Sequence, residues 1–287
     1  MPSMAVQSIS GVKTTSAPAV ERALDILELL SSSKAGLTLS DLSNSLDVHK
    51  SSVHYLLDTL QRRGYVHRNE VTKRLLLGLK ILTLSDAALA GVELRRHAAV
   101  HLRRLMEKSG LTVHLAVLEG DEAVLVDKLE PPEGAHVATW VGKRMDLHCS
   151  AVGKAIMAYL PEEQFYRLAR DRGFTRYNEN TKVTRRRIVE EIGEIRKCGY
   201  AVEDEEGEIG FRCVGCPIFD REGRITAAVS VAGTTSQITS EKGTLLSECV
   251  KETADAISRC IGFPAAGAEC PGVSSACVVA VKTGSAH

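Results

Sequence analysis

The sequence predicts an α+β protein of two domains, an N-terminal winged helix-turn-helix and a larger C-terminal domain on a mostly antiparallel sheet. Three observations predict it. Apolar residues recur every three to four positions in three short stretches before Gly64, and a basic hairpin pattern follows them. Beyond residue 110, alternating or apolar runs bounded by turns are interleaved with helical stretches, which is how sheet and helix mix in one domain. Finally, 287 residues exceed one typical domain, so two domains with tails are expected.

The first 17 residues are small, polar and unpatterned, and are expected to be a disordered tail. Pro18 stands where helices favour proline at their start. In "AVERALDILELL" the residues Val20, Ala23, Leu24, Leu27 and Leu30 fall at helical spacing and predict a first helix. "SSSKAG" breaks it. "TLSDLSNSL" restarts with Thr38 as N-cap and Asp41 three positions on, which predicts a short second helix. After the turn "DVHK", "SSVHYLLDTLQRRG" predicts a third helix ending at Gly64. "YVHRNEVTKRLLLG" then reads as a hairpin with the polar tip Arg68–Lys73, which closes the domain at residue 78.

Residues 79–93, beginning "LKILTLSDAALAG", are expected to form a linker helix, and residues 94–263 the second domain. Leu94, Ala98, Leu102 and Leu105 share one side of that domain's opening helix. Strands are expected at "TVHLAVLEGDEAVLVDKLE", "HVATWVG", "GYAVEDEE" and "CVGCPIFDREGRITAAVSVAG", with helices at "AVGKAIMAYL", "PEEQFYRLARDRG", "RRRIVEEIGEIRKCG" and "SEKGTLLSECVKETADAISRCIG". Residues 264–287 lack a sustained period and are expected to be a flexible tail.

The formal net charge of zero conceals a segregation. Residues 50–80 hold seven cations (Lys50, Arg62, Arg63, Arg68, Lys73, Arg74 and Lys80) against the acids Asp58 and Glu70, a net charge of +5. Acid collects later, in "EPPEG", "EEIGE" and "EDEEGE". Three short helices and a basic hairpin are the layout in which a third helix enters the major groove and a wing follows the backbone. Val53, Leu56, Leu57 and Leu60 form the packing stripe of that third helix. Lys50, Ser51, Ser52, His54, Tyr55 and Asp58 occupy its remaining surface, where hydroxyls and free N–H groups suit phosphate oxygens. The expected contacts to double-stranded promoter DNA are Thr38, Lys50, Ser51, Ser52, His54, Tyr55, Arg68, Lys73 and Arg74. The competing reading of this face is the solvated side of a small helical domain.

No apolar run approaches the roughly 18 residues of a membrane span, and "LLLGLKILTL" is interrupted by Lys80. A secretory signal is not legible at the N-terminus, so the expected location is the cytoplasm and the eight cysteines, all in the second half, are expected as reduced thiols. No cofactor or metal is expected. "CSAVGKA" lacks the P-loop pattern, with His148 and Ala155 where glycine and Ser/Thr are needed, and Lys154 reads as a helix-surface charge. Cys213 and Cys216 have zinc-like spacing but no second pair, and on a strand they would face opposite sides. No catalytic Ser/His/Asp arrangement is legible. The alternative function left open is a metabolite-converting or metabolite-sensing α+β protein whose helical N-terminus serves oligomerisation.

Over residues 18–263 the chain resembles the IclR family of bacterial transcription regulators. "AVERALDILELL…LTLSDLSNSLDVHKSSVHYLLDTLQRRGYV" is similar to that family's winged helix-turn-helix, and "LHCSAVGKAIMAYLP" to the start of its ligand-binding core. "GYAVEDEEGEIGFRCVGCPIFDREG" resembles the family's long signature. The resemblance implies a ligand-responsive regulator that is not an enzyme, with a GAF-like C-terminal effector-binding domain. It implies a homo-oligomer, a dimer or a dimer of dimers, and a small organic effector held by Ala151, Val152, Glu203, Cys213, Ser230 and Ala232. N–H groups at the helix start near Val152 and the Ser230 hydroxyl would bind polar groups of the effector. Glu203 would repel an anion unless protonated or turned away, which favours a neutral or hydroxylated ligand. Three positions depart from the family pattern. Tyr55 stands where arginine is frequent, Glu203 where aspartate or serine is usual, and Asp146 where proline commonly precedes "LH".

Overall fold

The computed structural model describes residues 17–90 and 92–264, and the chain divides into two compact units after Gly91. The tails expected at 1–17 and 264–287 lie almost wholly outside the described residues, as do Cys270 and Cys277.

In the first unit, α1 (Pro18–Ser31) begins with proline at its first position. There the missing N–H has no helical partner to lose. Its buried residues are Ile26 and Leu30, whereas Val20 and Leu24 are more than half exposed. The stripe expected from spacing therefore runs inward only in the C-terminal half. Helix α2 (Leu39–Leu46) starts with a reciprocal capping box: Asp41 N donates to Thr38 Oγ1 at 3.2 Å, and Thr38 N donates to Asp41 Oδ2 at 2.8 Å. It ends at Asp47, whose φ of +52° turns the chain toward α3 (Lys50–Arg62). The turn is tied by Ser43 Oγ donating to Val48 O at 2.6 Å.

Strands β1 (Val66–Arg68) and β2 (Leu75–Leu77) pair antiparallel with Val66 opposite Leu77, and Leu37 bridges to Leu75 from the other side. Ile26, Leu30, Leu42, Val53, Leu57, Val66 and Leu75 make the core, so all three helices and the hairpin close on one cluster. Burying each such side chain contributes about 1.5–3 kcal/mol relative to exposure. Helix α4 (Lys80–Ala90) follows directly and leaves Leu82 and Leu84 largely exposed.

The second unit opens with α5 (Glu93–Ser109), whose expected inward residues Leu94, Ala98, Leu102 and Leu105 are all buried. A six-stranded antiparallel sheet follows, ordered β5-β4-β3-β8-β7-β6. Its strands are β3 (Thr112–Glu119), β4 (Glu122–Leu129), β5 (Arg144–Met145), β6 (Ala201–Asp204), β7 (Phe211–Phe219) and β8 (Ile225–Thr234). Helices α5 and α9 (Ser240–Cys260) pack on one face, and α6 (Ala151–Met157) lies on the other with α7 (Glu162–Asp171) and α8 (Arg185–Cys198). Gly215 makes the close approach of α6 possible, since a Cβ there would stand 2.7 Å from the Ala151 carbonyl oxygen.

The strand expected at "HVATWVG" does not form. Its carbonyls turn to lysine ammonium groups instead: Lys128 Nζ donates to Val137 O and Thr139 O, and Lys143 Nζ to Ala138 O, each at 2.9 Å. The short β5 lies just beyond it.

Candidate DNA-binding face and effector cavity

The first turn of α3 presents Lys50, Ser51, Ser52, His54 and Tyr55 to solvent, with Tyr55 76% exposed. No side chain caps this helix and no acid lies in its first turn. Ser52 N already donates to the His49 carbonyl at 3.0 Å, so the N–H groups of Lys50 and Ser51 and the positive dipole end are what it offers an anion. Val53 and Leu57 point into the core on the opposite side, with Leu56 and Leu60 half-buried. Thr38 is half-buried and its hydroxyl already accepts the Asp41 N–H.

The wing residues divide by role. Arg68 is exposed on β1, and Lys73 is exposed at the tip in a left-handed turn, φ +54°, beside Glu70 at 3.2 Å. An ion pair so exposed holds little energy, and a phosphate can replace it. Arg74 is different: its Nη1 donates to the Gly36 carbonyl at 2.8 Å, a strut between the wing and the loop after α1.

In the second unit a cavity of about 200 Å³ opens between the start of α6, the sheet and the loops at 137–146 and 207–208. Ala151, Val152, Glu203, Cys213 and Ser230 all line it, whereas Ala232 pairs with Cys213 across β7 and β8 without reaching the cavity wall. Gly153 lets α6 sit close against the preceding turn, where a Cβ would meet Asp146 O at 2.4 Å. Ser150 Oγ accepts the Gly153 N–H at 3.1 Å, so one of the helix-start donors near Val152 is already engaged.

Glu203 lines the cavity with one carboxylate oxygen already engaged. Its Oε1 accepts the N–H groups of Glu206 at 2.7 Å and Gly207 at 3.1 Å. Burial raises its carboxyl pKa, opposed by those N–H bonds and by the Cys213 thiol. It anchors the loop after β6. Ser230 is buried, and its hydroxyl has no protein partner among the described residues.

Several lining residues were not singled out in the sequence. His114 lies opposite Ser230 in the β3–β8 register, and its Nε2 meets Thr139 Oγ1 at 2.8 Å. Burial, reinforced by Lys128, pushes its pKa down to about 4, so the ring is neutral. Lys143 Nζ stands 5.0 Å over the Trp140 ring and its pKa is lowered by burial. Tyr177 donates to Asp146, and burial with that neighbour drives the phenol's pKa up. Arg144 is held by Glu119 at 2.6 Å and Glu122 at 3.0 Å. The sequence carried no signal for His114: in "TVHLAV" alternation puts it on the face opposite Val113, Leu115 and Val117, and it is buried because both faces of β3 are covered there.

Among the described residues, Asp146, His148 and Cys149 bring one metal-ligand atom each to within 4.8 Å of one another. His148 Nε2 already bonds the Thr175 carbonyl at 2.8 Å, Asp146 accepts the Tyr177 hydroxyl, and burial raises the Cys149 thiol pKa. His148 and Asp146 are therefore already committed to hydrogen bonds, and Cys149 is a buried thiol held in its neutral form. Cys213 and Cys216 face opposite sides of β7, one toward Glu203 and the other toward α9, which rules out a shared ion.

Lys154 corrects its expected place on a helix surface, because it is completely buried. Its ammonium donates to Glu191 Oε1 at 2.8 Å, to Val202 O at 3.1 Å and to Glu206 Oε1. Burial alone would neutralise it, but the two carboxylates outweigh that cost and raise its pKa.

Residues 19–70 match the IclR helix-turn-helix domain, and residues 86–259 match the bacterial transcriptional regulator IclR C-terminal domain. The transcriptional regulator XynR of Escherichia coli K12 is 32% identical over 246 residues, 86% of this chain and 98% of that protein. The transcriptional repressor AllR of the same organism is 31% identical over 249 residues, covering 87% and 92%. The crystal structure of Thermotoga maritima IclR superposes with a TM-score of 0.72 at 32% identity, across 86% of this chain and 99% of that one. With a basic helix-turn-helix unit and a cavity-bearing α+β unit in the same order, the chain belongs to the IclR family of bacterial transcriptional regulators, ligand-responsive DNA-binding proteins and not enzymes.

Proposed function

We propose that this regulator reads its operator through the first turn of α3 and anchors it through the wing, acting in the cytoplasm as a homo-oligomer. The observation that carries this reading is the exposed, uncapped and acid-free start of α3 beside a basic hairpin. Lys50, Ser51 and Ser52 contact phosphates and fix register, with Thr38 alongside. His54 and Tyr55 contact base edges or sugar, and Arg68 and Lys73 follow the backbone. Arg74 serves by holding the wing in place. No helix among the described residues is long and apolar enough to cross a membrane.

The effector is a small organic molecule, neutral or hydroxylated, seated against Ala151, Val152, Cys213 and Ser230. An unpartnered hydroxyl and a neutral imidazole supply hydrogen bonds there, and Met145, Val152 and Phe211 supply apolar surface. Glu203 lines the cavity with its Oε1 committed to the loop after β6, and Ala232 supports the wall from the neighbouring strand.

Footprinting the full-length protein on the DNA flanking its own gene tests the DNA reading. Protection of a roughly palindromic site is expected, with Tyr55→Ala changing which sequence binds best. Absence of any protected site, or a sequence ranking unchanged by Tyr55→Ala, would overturn it. The same footprint titrated with candidate metabolites tests the effector.

A further inference from the structure

We propose that Lys154 and Glu206 are the positioning pair of the effector cavity: their buried ion pair holds the loop after β6 as a preformed wall. The inference rests on the effector reading of that cavity.

The loop contributes Gly207 and Glu208 to the lining, and Glu203 at its root does the same. It has few apolar anchors of its own, so its position is set by polar ties. On the cavity side, Glu203 accepts the N–H groups of Glu206 and Gly207. On the far side, Asn178 Nδ2 donates to Glu205 O at 2.9 Å and Thr181 Oγ1 donates to Glu206 O at 2.7 Å. The Glu206 side chain, 2% exposed, is gripped from below by Lys154 and from the flank by Lys182 at 3.2 Å.

Lys154 lies on α6, one turn from the cavity-lining Ala151 and Val152. The ion pair thus fixes two walls of the cavity to each other. Glu191 on α8 completes a set of two cations and two anions. The set is closed but not generous, because Glu191 Oε2 and Glu206 Oε2 are both buried without a partner. Removing Lys154 therefore leaves two half-satisfied buried acids with only Lys182, which is one-third exposed. A buried charge that loses its partner seeks water. Glu206 can reach water only by moving the loop.

The test uses the full-length protein and three variants: Lys154→Met, Glu206→Gln and the two combined. N-ethylmaleimide labelling is read at each cysteine by peptide mass spectrometry, together with amide exchange at residues 206 and 207. Cys149 and Cys213 line the cavity, Cys216 faces α9 as the buried control, and exposed Cys260 normalises reactivity. Lys154→Met is expected to raise labelling at Cys149 and Cys213 on the order of tenfold over Cys216 and to speed exchange at the two amides. The combined variant, which removes both charges, is expected to return toward wild type.

An equal rise at Cys216, or no rise at all, overturns the proposal. Should Lys154→Met fail to fold, Glu206→Gln is expected to give the same selective rise. Failure of every variant to fold would assign the pair to the fold itself and overturn the positioning role. Neither readout involves an effector or DNA, so a cavity that bound no metabolite would be recognised separately.

Discussion

His114 shows how one residue links burial to pH response. Folding keeps its ring deprotonated down to about 4, while an unfolded chain takes the proton near 6.5. Below pH 6.5 the unfolded state therefore binds more protons, and stability is lost as pH falls toward 4. By pH 5 this one group should cost about 2 kcal/mol relative to pH 7. His114→Gln is expected to fold with a pH 7-to-5 loss smaller by about that amount. Urea unfolding at the two pH values measures it, and Trp140, the chain's only tryptophan, reports on the unit that carries His114. Equal losses in the two proteins would show that the ring is not held neutral. Single residues were also where the sequence was least legible. Lys154 follows Gly153 in a stretch that reads as an ordinary helix start, and only the facing acids from α8 and the loop after β6 make its burial possible. Those acids are 37 and 52 residues away in the chain, beyond any local pattern.

At the scale of elements, legibility followed local determinants. Helix α2 was readable because Thr38 and Asp41 cap it within four residues, and α5 because four inward positions repeat on one side. The segment "HVATWVG" was not, since alternation cannot register that Lys128 and Lys143 claim its carbonyls. The cavity depends in the same way on packing between elements. Helix α6 approaches β7 at Gly215, and the group in the way of any added Cβ is backbone, which cannot rotate aside. Gly215→Ala is expected to destabilise the second unit by about 1–3 kcal/mol through overpacking. It should also displace Ala151 and Val152, so any effector response should weaken together with stability. Thermal melts of the variant against wild type check the first effect; an unchanged midpoint would mean that α6 and β7 tolerate a wider spacing.

At the scale of the whole molecule, the zero net charge averages over two units that differ in task, and the basic excess lies in the unit that meets DNA. This separation makes salt dependence a way to count wings. Each phosphate that a protein no longer neutralises makes the slope of log affinity against log salt shallower by about 0.9. Lys73 is exposed at the wing tip and its pairing with Glu70 is weak, so Lys73→Ala should free one phosphate per wing without disturbing the hairpin. If a dimer places both wings on one operator, the substitution must free two phosphates, and the slope should become shallower by about 1.8. One engaged wing would give about half that change. We expect the larger value, accompanied by weaker binding to operator and unrelated DNA alike. Fluorescence anisotropy over a salt series, on a full operator and on an isolated half-site, measures both slopes. A change near ~0.9 on the full operator would mean that a single wing touches DNA, and an unchanged slope would remove Lys73 from the phosphate-binding residues altogether.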